Sequence, residues 1–368
     1  MSARIFWAPG RVNLIGEFTD LVGGPVLPAA LDLGVHIEAE AAETIDLCSR
    51  ELGGKALLAA DGTPITGAGA TEGWGRYVAA VAAELALLGR RPVGLKGDIS
   101  STLPIGAGLS SSAALEVAVG LALCAVADFP LEPLELAQAA RRAEHRAVGV
   151  PCGILDQAAS LLGRAGSAVL LDTGSLAYEY VPLPEGIALL IIDSGVSRRL
   201  ESSGYATRQE EVERGLAAFA GRNPTEITLA EIESREGRGE LDPIAARRLR
   251  HVVSEGERVH EAARLLDDPS PANLRRLGEV FAAGHKSVRD DWEASTPELD
   301  YLVEQAREKG AIAARMTGGG FGGSIVALVH IGEAAGLAES VLSAYESHGD
   351  AQAKAYVCRA SDGAREIS

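Results

Sequence analysis

The chain has 368 residues, 47% of them hydrophobic and 23% charged, which is a globular composition long enough for two domains or one large one. Its net charge of −17 argues against nucleic acid as the main partner, because a phosphate backbone requires basic stripes. Small phosphorylated ligands are not excluded, since they need only a local positive site.

The four cysteines, Cys48, Cys124, Cys152 and Cys358, include no CxxC pair, so neither a zinc site nor a disulfide framework is indicated. The N-terminus, MSARIFWAPGRVN, has no long apolar core of a signal peptide, and no apolar run is long enough for a bilayer. The expectation is a reduced, cytoplasmic protein with no membrane partner.

In chain order, the first informative stretch is GRVNLIGEFTDLVGG, Gly10 to Gly24, which sets charged residues beside a probable strand and ends in paired glycines. Residues Val26 to Ile37 read as a strand, Trp74 to Leu88 as a helix and Gly94 to Ser101 as a second strand. Next comes LPIGAGLSSSAALEVAVGLAL, Leu103 to Leu123, with a helix expected over Ser111 to Val126. Such a helix points its unpaired N–H groups and positive dipole end at the glycine loop, and the glycines let backbone approach an anion. One serine there would read as a helix cap. The Gly-x-Gly-x-Ser-Ser-Ser run after a strand reads as a phosphate cradle, although the GK[ST] ending of a Walker A loop is missing.

Helical spacing returns over Leu134 to Val148. In GVPCGILDQAASLLG, Gly149 to Gly163, Asp156 lies among Ile154, Leu155, Ala158 and Ala159. A carboxylate there needs partners or carries a raised pKa; the alternative is a helix-capping aspartate. Strands are expected over Ala168 to Asp172 and Ile187 to Asp193, with Pro182-Leu183-Pro184 suiting a linker between halves. Helices are expected over Tyr205 to Ala220, Ala245 to Leu266, Leu274 to Ala283 and Glu298 to Lys309. The charged stretch EIESREGRGELDP, Glu231 to Pro243, reads as a solvated loop or helix end. RMTGGGFGGSIVALV, Arg315 to Val329, holds five glycines in six positions before a strand over Ser324 to Val329. That loop fits a tight turn or a close approach of ligand or backbone. Strands and helices mix without regular βαβ alternation, which favours α+β.

GRVNLIGE with the following TD, PIGAGLSSSAALE, AEHRAVGVPCGILDQAAS and RMTGGGFGGS together resemble the GHMP kinase superfamily, and within it the galactokinases. The segments EGWGRYV, LLDTGSLAYEYVPLP, SSGYATRQEE, RLRHVVSEGERV and HKSVRDDWEASTPELDYLV are similar in the same order, so the likeness spans nearly the whole chain. It implies a two-domain α+β fold, residues 1–175 with the sugar signature and ATP loop and residues 176–368 with the last glycine loop. The active site is then expected in the cleft between them.

The implied reaction is transfer of the γ-phosphoryl group of ATP to the anomeric hydroxyl of a monosaccharide, which depends mainly on positioning and charge stabilisation. By the resemblance, Asp156 is the candidate base and Arg11 the arginine beside the transferred group. Pro104, Gly106, Gly108, Leu109, Ser110, Ser111, Ser112 and Ala113 form the ATP loop, with Trp74 an adenine-stacking candidate. Ser112 and Glu144 match Mg²⁺ contacts, and Glu17, Phe18, Asp20, Gly153 and Tyr205 match sugar positions. The implied partners are a small sugar and ATP, and the implied state is a monomer or weak homodimer.

The opening stretch departs from the family's GEHTDYNGG: Phe18, Leu21 and Val22 replace histidine, tyrosine and asparagine. A phenylalanine cannot donate a hydrogen bond to a sugar C6 hydroxyl, and a carbon-lined site discriminates weakly against its absence. Galactose is the expected substrate. A 6-deoxy sugar or pentose, or a catalytically silent sensor, is the alternative.

Overall fold

The computed structural model describes residues 3–65, 72–104, 106–149, 152–196, 201–348 and 352–367, except the side chains of 201–203 and 205. The chain begins with β1 (Arg4–Asn13), a short turn and β2 (Pro25–Val26), then β3 (Pro28–Ala42), β4 (Thr44–Ser49) and β5 (Lys55–Ala59). Helix α1 (Gly75–Leu87), strand β6 (Gly94–Ser101) and helices α2 (Ser111–Val126), α3 (Pro133–Val148) and α4 (Leu155–Leu162) follow. The hairpin β7 (Ser167–Asp172) and β8 (Tyr178–Pro182) leads into β9 (Ile187–Asp193). Then come α5 (Glu201–Ala217), α6 (Leu229–Gly237), α7 (Pro243–Asp267), α8 (Pro271–Ser287) and α9 (Pro297–Glu308). The chain ends with β10 (Ala313–Thr317), β11 (Ser324–His330), α10 (Ala334–Glu346), β12 (Lys354–Cys358) and β13 (Arg365–Glu366).

Among the described residues the strands form three sheets, ordered β13-β1-β3-β6-β4-β5, β10-β11-β9-β12 and β2-β7-β8. The mixed, largely antiparallel pairing agrees with the α+β expectation, β4 and β6 being a parallel pair. Strand β9 reads IALLIID without alternation because it lies inside its sheet, between β11 and β12, and its middle residues are buried. Helix α2 is apolar nearly all round for the same reason. It packs on α1, α3, α4, β1 and β3, and its residues from Ala113 to Gly120 are all buried.

Two large cores follow from this. One joins the first sheet to α1, α2 and α3, around Phe6, Leu14, Ile37, Val117 and Leu123. The other lies between the second sheet and the C-terminal helices, around Ile192, Leu249, Trp292 and Met316. The charged stretch Glu231 to Pro243 is helical over its first half, in α6. Thr228 and Glu231 form a reciprocal capping box there, which outweighs the surface charge. The four cysteines are free thiols, and no helix of the described residues is long and apolar enough to cross a membrane.

Candidate active site

The register of β1 against β3 shifts between Pro9 and Arg11. A side chain at Gly10 would meet Leu103 Cδ2 at 2.4 Å and the Leu109 carbonyl at 2.6 Å, so only glycine lets the bulge lie this close to the loop before α2. The shift aims Arg11 at α4. Its Nε donates to Asp156 Oδ1 at 2.8 Å, its Nη2 lies 2.6 Å from the same oxygen, and its Nη1 donates to the Gly108 carbonyl at 2.8 Å. Ser160 Oγ, one turn along α4, donates to the Pro9 carbonyl at 2.7 Å and fixes the helix to the strand.

The loop before α2 is the candidate phosphate cradle. Gly106, Gly108 and Ser110 have φ of 83°, 76° and 56°, the left-handed region that glycine adopts without steric cost. Ser110 is the N-cap residue, yet its side chain makes no capping bond. Its hydroxyl donates to Asp156 Oδ2 at 2.5 Å instead. The capping reading of that serine therefore fails. Ser111 is exposed and Ala113 fully buried. Leu109 is buried and its carbonyl accepts from the Arg11 N–H at 3.2 Å.

Ser112 Oγ donates to Glu144 Oε1 at 3.0 Å. Gln157 Nε2 reaches Glu144 Oε2 at 2.6 Å and Glu116 Oε2 at 3.0 Å. Burial first, and the neighbouring Glu144 carboxylate second, push Glu116 well above the usual carboxylate range. Glu144 is raised by burial and by Asp156. No group of three or more His, Cys, Asp or Glu among the described residues is arranged to hold a metal ion. Two hard oxygens, Ser112 Oγ and a Glu144 carboxylate, fit a Mg²⁺ ion that completes its shell with phosphate oxygens and water.

Asp156 also acts on Asp20, which lies against Gly153. A Cβ at Gly153 would fall 1.6 Å from Asp20 Oδ2, so the carboxylate rests on bare backbone. Burial, and then the Asp156 charge, raise Asp20 to about 7 against the pull of Arg11. Asp20 and Gly153 line a polar cavity of about 270 Å³ together with Leu21, Arg141, Cys152 and Gln209. Glu17 is buried and pairs with Arg315 at 2.6 Å. Burial lifts it to about 7 even so. Phe18, at φ 68°, turns its ring into the second core. There it stacks on Trp292 with centroids 4.8 Å apart and meets His251 edge-on at 6.1 Å.

Trp74 is the N-cap residue of α1, half-buried, its Nε1 donating to the Gly53 carbonyl at 3.0 Å. Pro104 is half-buried ahead of the loop. Tyr205 lies in α5, but its side chain is outside the described residues. The sequence reading missed Gln157, Glu116 and Arg315. The last had a signal: a single arginine inside the apolar run AIAARMT requires a buried partner. The last glycine loop is tied to the first by Ser324 Oγ, which donates to the Ala107 carbonyl at 2.5 Å. Thr317 Oγ1 donates to the Asn13 carbonyl at 2.8 Å.

The galactokinase of Pyrococcus furiosus is 36% identical over 363 residues, which are 99% of this chain and 99% of the relative. The chain belongs to the galactokinase family. The profile described as the galactokinase galactose-binding signature matches residues 2–40, the span from β1 to β3. Those for the GHMP kinase N-terminal and C-terminal domains match 76–164 and 272–350. The solved galactokinase of Lactococcus lactis, complexed with galactose, superposes with a TM-score of 0.90 at 31% identity, covering 99% of this chain and 95% of that one. The mevalonate kinase of Methanococcus jannaschii shares the fold alone, with a TM-score of 0.67 at 19% identity over 98% of this chain and 99% of that one. The galactokinase-family chain thus has the two-domain GHMP kinase fold, with sheets and helices mixed.

Proposed function

We propose that the chain transfers the γ-phosphoryl group of ATP to the C1 hydroxyl of galactose, with residues 1–175 and 176–368 as the two domains. The observation that carries this reading is the Arg11–Asp156–Ser110 constellation. It takes in the loop residue Ser110 and the Gly108 carbonyl, and its Asp156 charge acts on Asp20, which lines a polar cavity with Gly153. The galactose complex of the Lactococcus lactis relative makes galactose the first sugar to test.

In this reading the β- and γ-phosphates lie on the N–H groups of Gly106 to Ser112 and the dipole end of α2. Trp74 is the candidate to stack on adenine. Ser112 and Glu144 would hold Mg²⁺, which would supply neutralisation of phosphate charge. Asp20, Glu17 and Tyr205 take sugar hydroxyls, Gly153 brings backbone against the ring, and Phe18 backs the Glu17 side with carbon. The C1 oxygen forms its bond to phosphorus as the bond to the ADP oxygen breaks. Asp156, beside both substrates, accepts the hydroxyl proton. Arg11 holds the Asp156 carboxylate in place and faces the charge that builds on the transferred group. Cytoplasmic placement and a monomer or weak homodimer complete the proposal.

Sugar-dependent ADP release, assayed with Mg²⁺ over galactose, 6-deoxygalactose, arabinose, N-acetylgalactosamine, glucose, galacturonate, mevalonate and homoserine, tests it. Galactose leading the panel is the expected result. A different leading sugar, or ATP binding with no turnover of any, overturns it.

A further inference from the structure

We infer that Arg315 is a positioning residue that holds the Glu17 carboxylate toward the sugar, an inference that rests on the sugar-site reading of Glu17 given above. Arg315 lies mid-strand in β10 and is fully buried. Its Nη2 sits 2.6 Å from Glu17 Oε2 and 2.6 Å from Glu255 Oε1. The two carboxylates are not equally dependent on it. Glu255 has a second cation, Arg258, at 2.7 Å, and accepts the Gly16 N–H at 3.0 Å. The Glu17 oxygens have no hydrogen-bond partner among the described residues, and Arg315 is the one ion-pair partner found there. Two buried acceptor atoms beside one shared guanidinium keep unused acceptor capacity, which the proposal assigns to a sugar hydroxyl.

The backbone of Glu17 is held separately. His251 Nε2–H donates to the Glu17 carbonyl at 3.1 Å, and burial keeps that imidazole neutral, with its pKa lowered to about 4. Loss of Arg315 therefore releases the carboxylate while α7 still anchors the loop. Space for the guanidinium comes from Gly284 of α8, where a Cβ would meet Arg315 Nη1 at 2.4 Å. The charged and titratable groups facing Glu17 are Arg11 from β1, Arg315 from β10, and Glu255 and His251 from α7, with Arg258 behind Glu255. Without Arg315 the largest remaining charge effect on Glu17 is the like charge of Glu255, opposed by the smaller one of Arg11. The carboxyl then takes up a proton at higher pH and stops accepting from the sugar.

The test is steady-state kinetics of Arg315→Met, Arg315→Lys, Glu17→Gln and the Glu17→Gln/Arg315→Met double variant against galactose and ATP from pH 6 to 9. Expected for Arg315→Met is a galactose KM raised about tenfold or more, an ATP KM within about twofold, and an acid limb of galactose kcat/KM moved to higher pH. Arg315→Lys recovers part of the loss. In the Glu17→Gln background Arg315→Met adds less than about threefold, because the two act as one unit. If Arg315→Met does not fold, Arg315→Lys decides: a raised galactose KM with a shifted acid limb supports the role, and a wild-type KM overturns it. Equal losses for both substrates with an unmoved pH profile also overturn it, as does a raised KM in Glu17→Gln beside wild-type behaviour in the Arg315 variants. An unchanged galactose KM in Glu17→Gln rejects instead the sugar-site reading itself.

Discussion

Asp20 and Gly153 occupy one space: a methyl group on Gly153 would lie 1.6 Å from Asp20 Oδ2. The glycine lies outside the positive-φ positions of the chain, so the requirement is close approach of a carboxylate to backbone. Gly153→Ala is expected to push Asp20 out of place and to cut galactose kcat/KM about a hundredfold, the usual effect of a misplaced site group. Nucleotide affinity and melting temperature stay near wild type, because the clash sits at a cavity edge. Kinetics within a few-fold of wild type would show that Asp20 has nothing to position.

Asp156 is held by Arg11 on one oxygen and by Ser110 on the other, and the proposed mechanism makes it the proton acceptor. Asp156→Asn keeps the shape and one acceptor but removes the charge and the proton acceptor. Turnover is expected to fall between about a hundred- and ten-thousand-fold, with the galactose KM changed little. Single-turnover phosphoryl transfer is the measurement to make. A loss confined to KM assigns Asp156 to binding only.

Phe18 can be tested in the direction of the family's histidine. Its ring is 4% exposed and stacks on Trp292, in a core where an imidazole must be neutral and find a partner for its N–H. Phe18→His is expected to cost about 1–3 kcal/mol of stability, read by denaturant unfolding. The preference for galactose over 6-deoxygalactose stays within about threefold of wild type. A clear gain for galactose means that the side chain at this position reaches C6.

Much of this was legible in the sequence where a local signal carried it. Strand β6, strand β9 and helix α2 fall on the residues that periodicity and composition assign. Helix α3 begins one residue early, where Glu132 and Pro133 cap and open it. Strands β4 and β5 and helix α10 carried no sharp boundary and went unread. Strand β10 and helix α4 were hidden inside motifs that drew attention to chemistry. The buried network Gln157–Glu116–Glu144 could not be read at all, and AIAARMT signalled a buried partner for Arg315 without naming Glu17 or Glu255. These residues lie on α2, α3, α4, α7, β10 and the loop after β1, so the charges that explain one another meet only through tertiary packing.

The last prediction concerns protons. Asp20 and Glu17 both stand at about 7, raised first by burial, from ordinary values of 3.8 and 4.5. A carboxyl whose folded pKa is raised favours the protonated fold. Its contribution to stability is greatest below the ordinary value and is lost as pH rises through about 7. Sugar hydroxyls donate best to the ionised form, so galactose binding pulls in the opposite direction. At pH 6 these carboxyls are mostly protonated and binding must release protons; at pH 8 they are already ionised. Galactose affinity is therefore expected to rise by up to about tenfold per group between pH 6 and 8. Calorimetry near pH 6.5 in buffers of different ionisation enthalpy should register net proton release, and Asp20→Asn should reduce it. Net proton uptake, or a flat affinity over this range, would show that neither carboxyl meets the sugar in its ionised form.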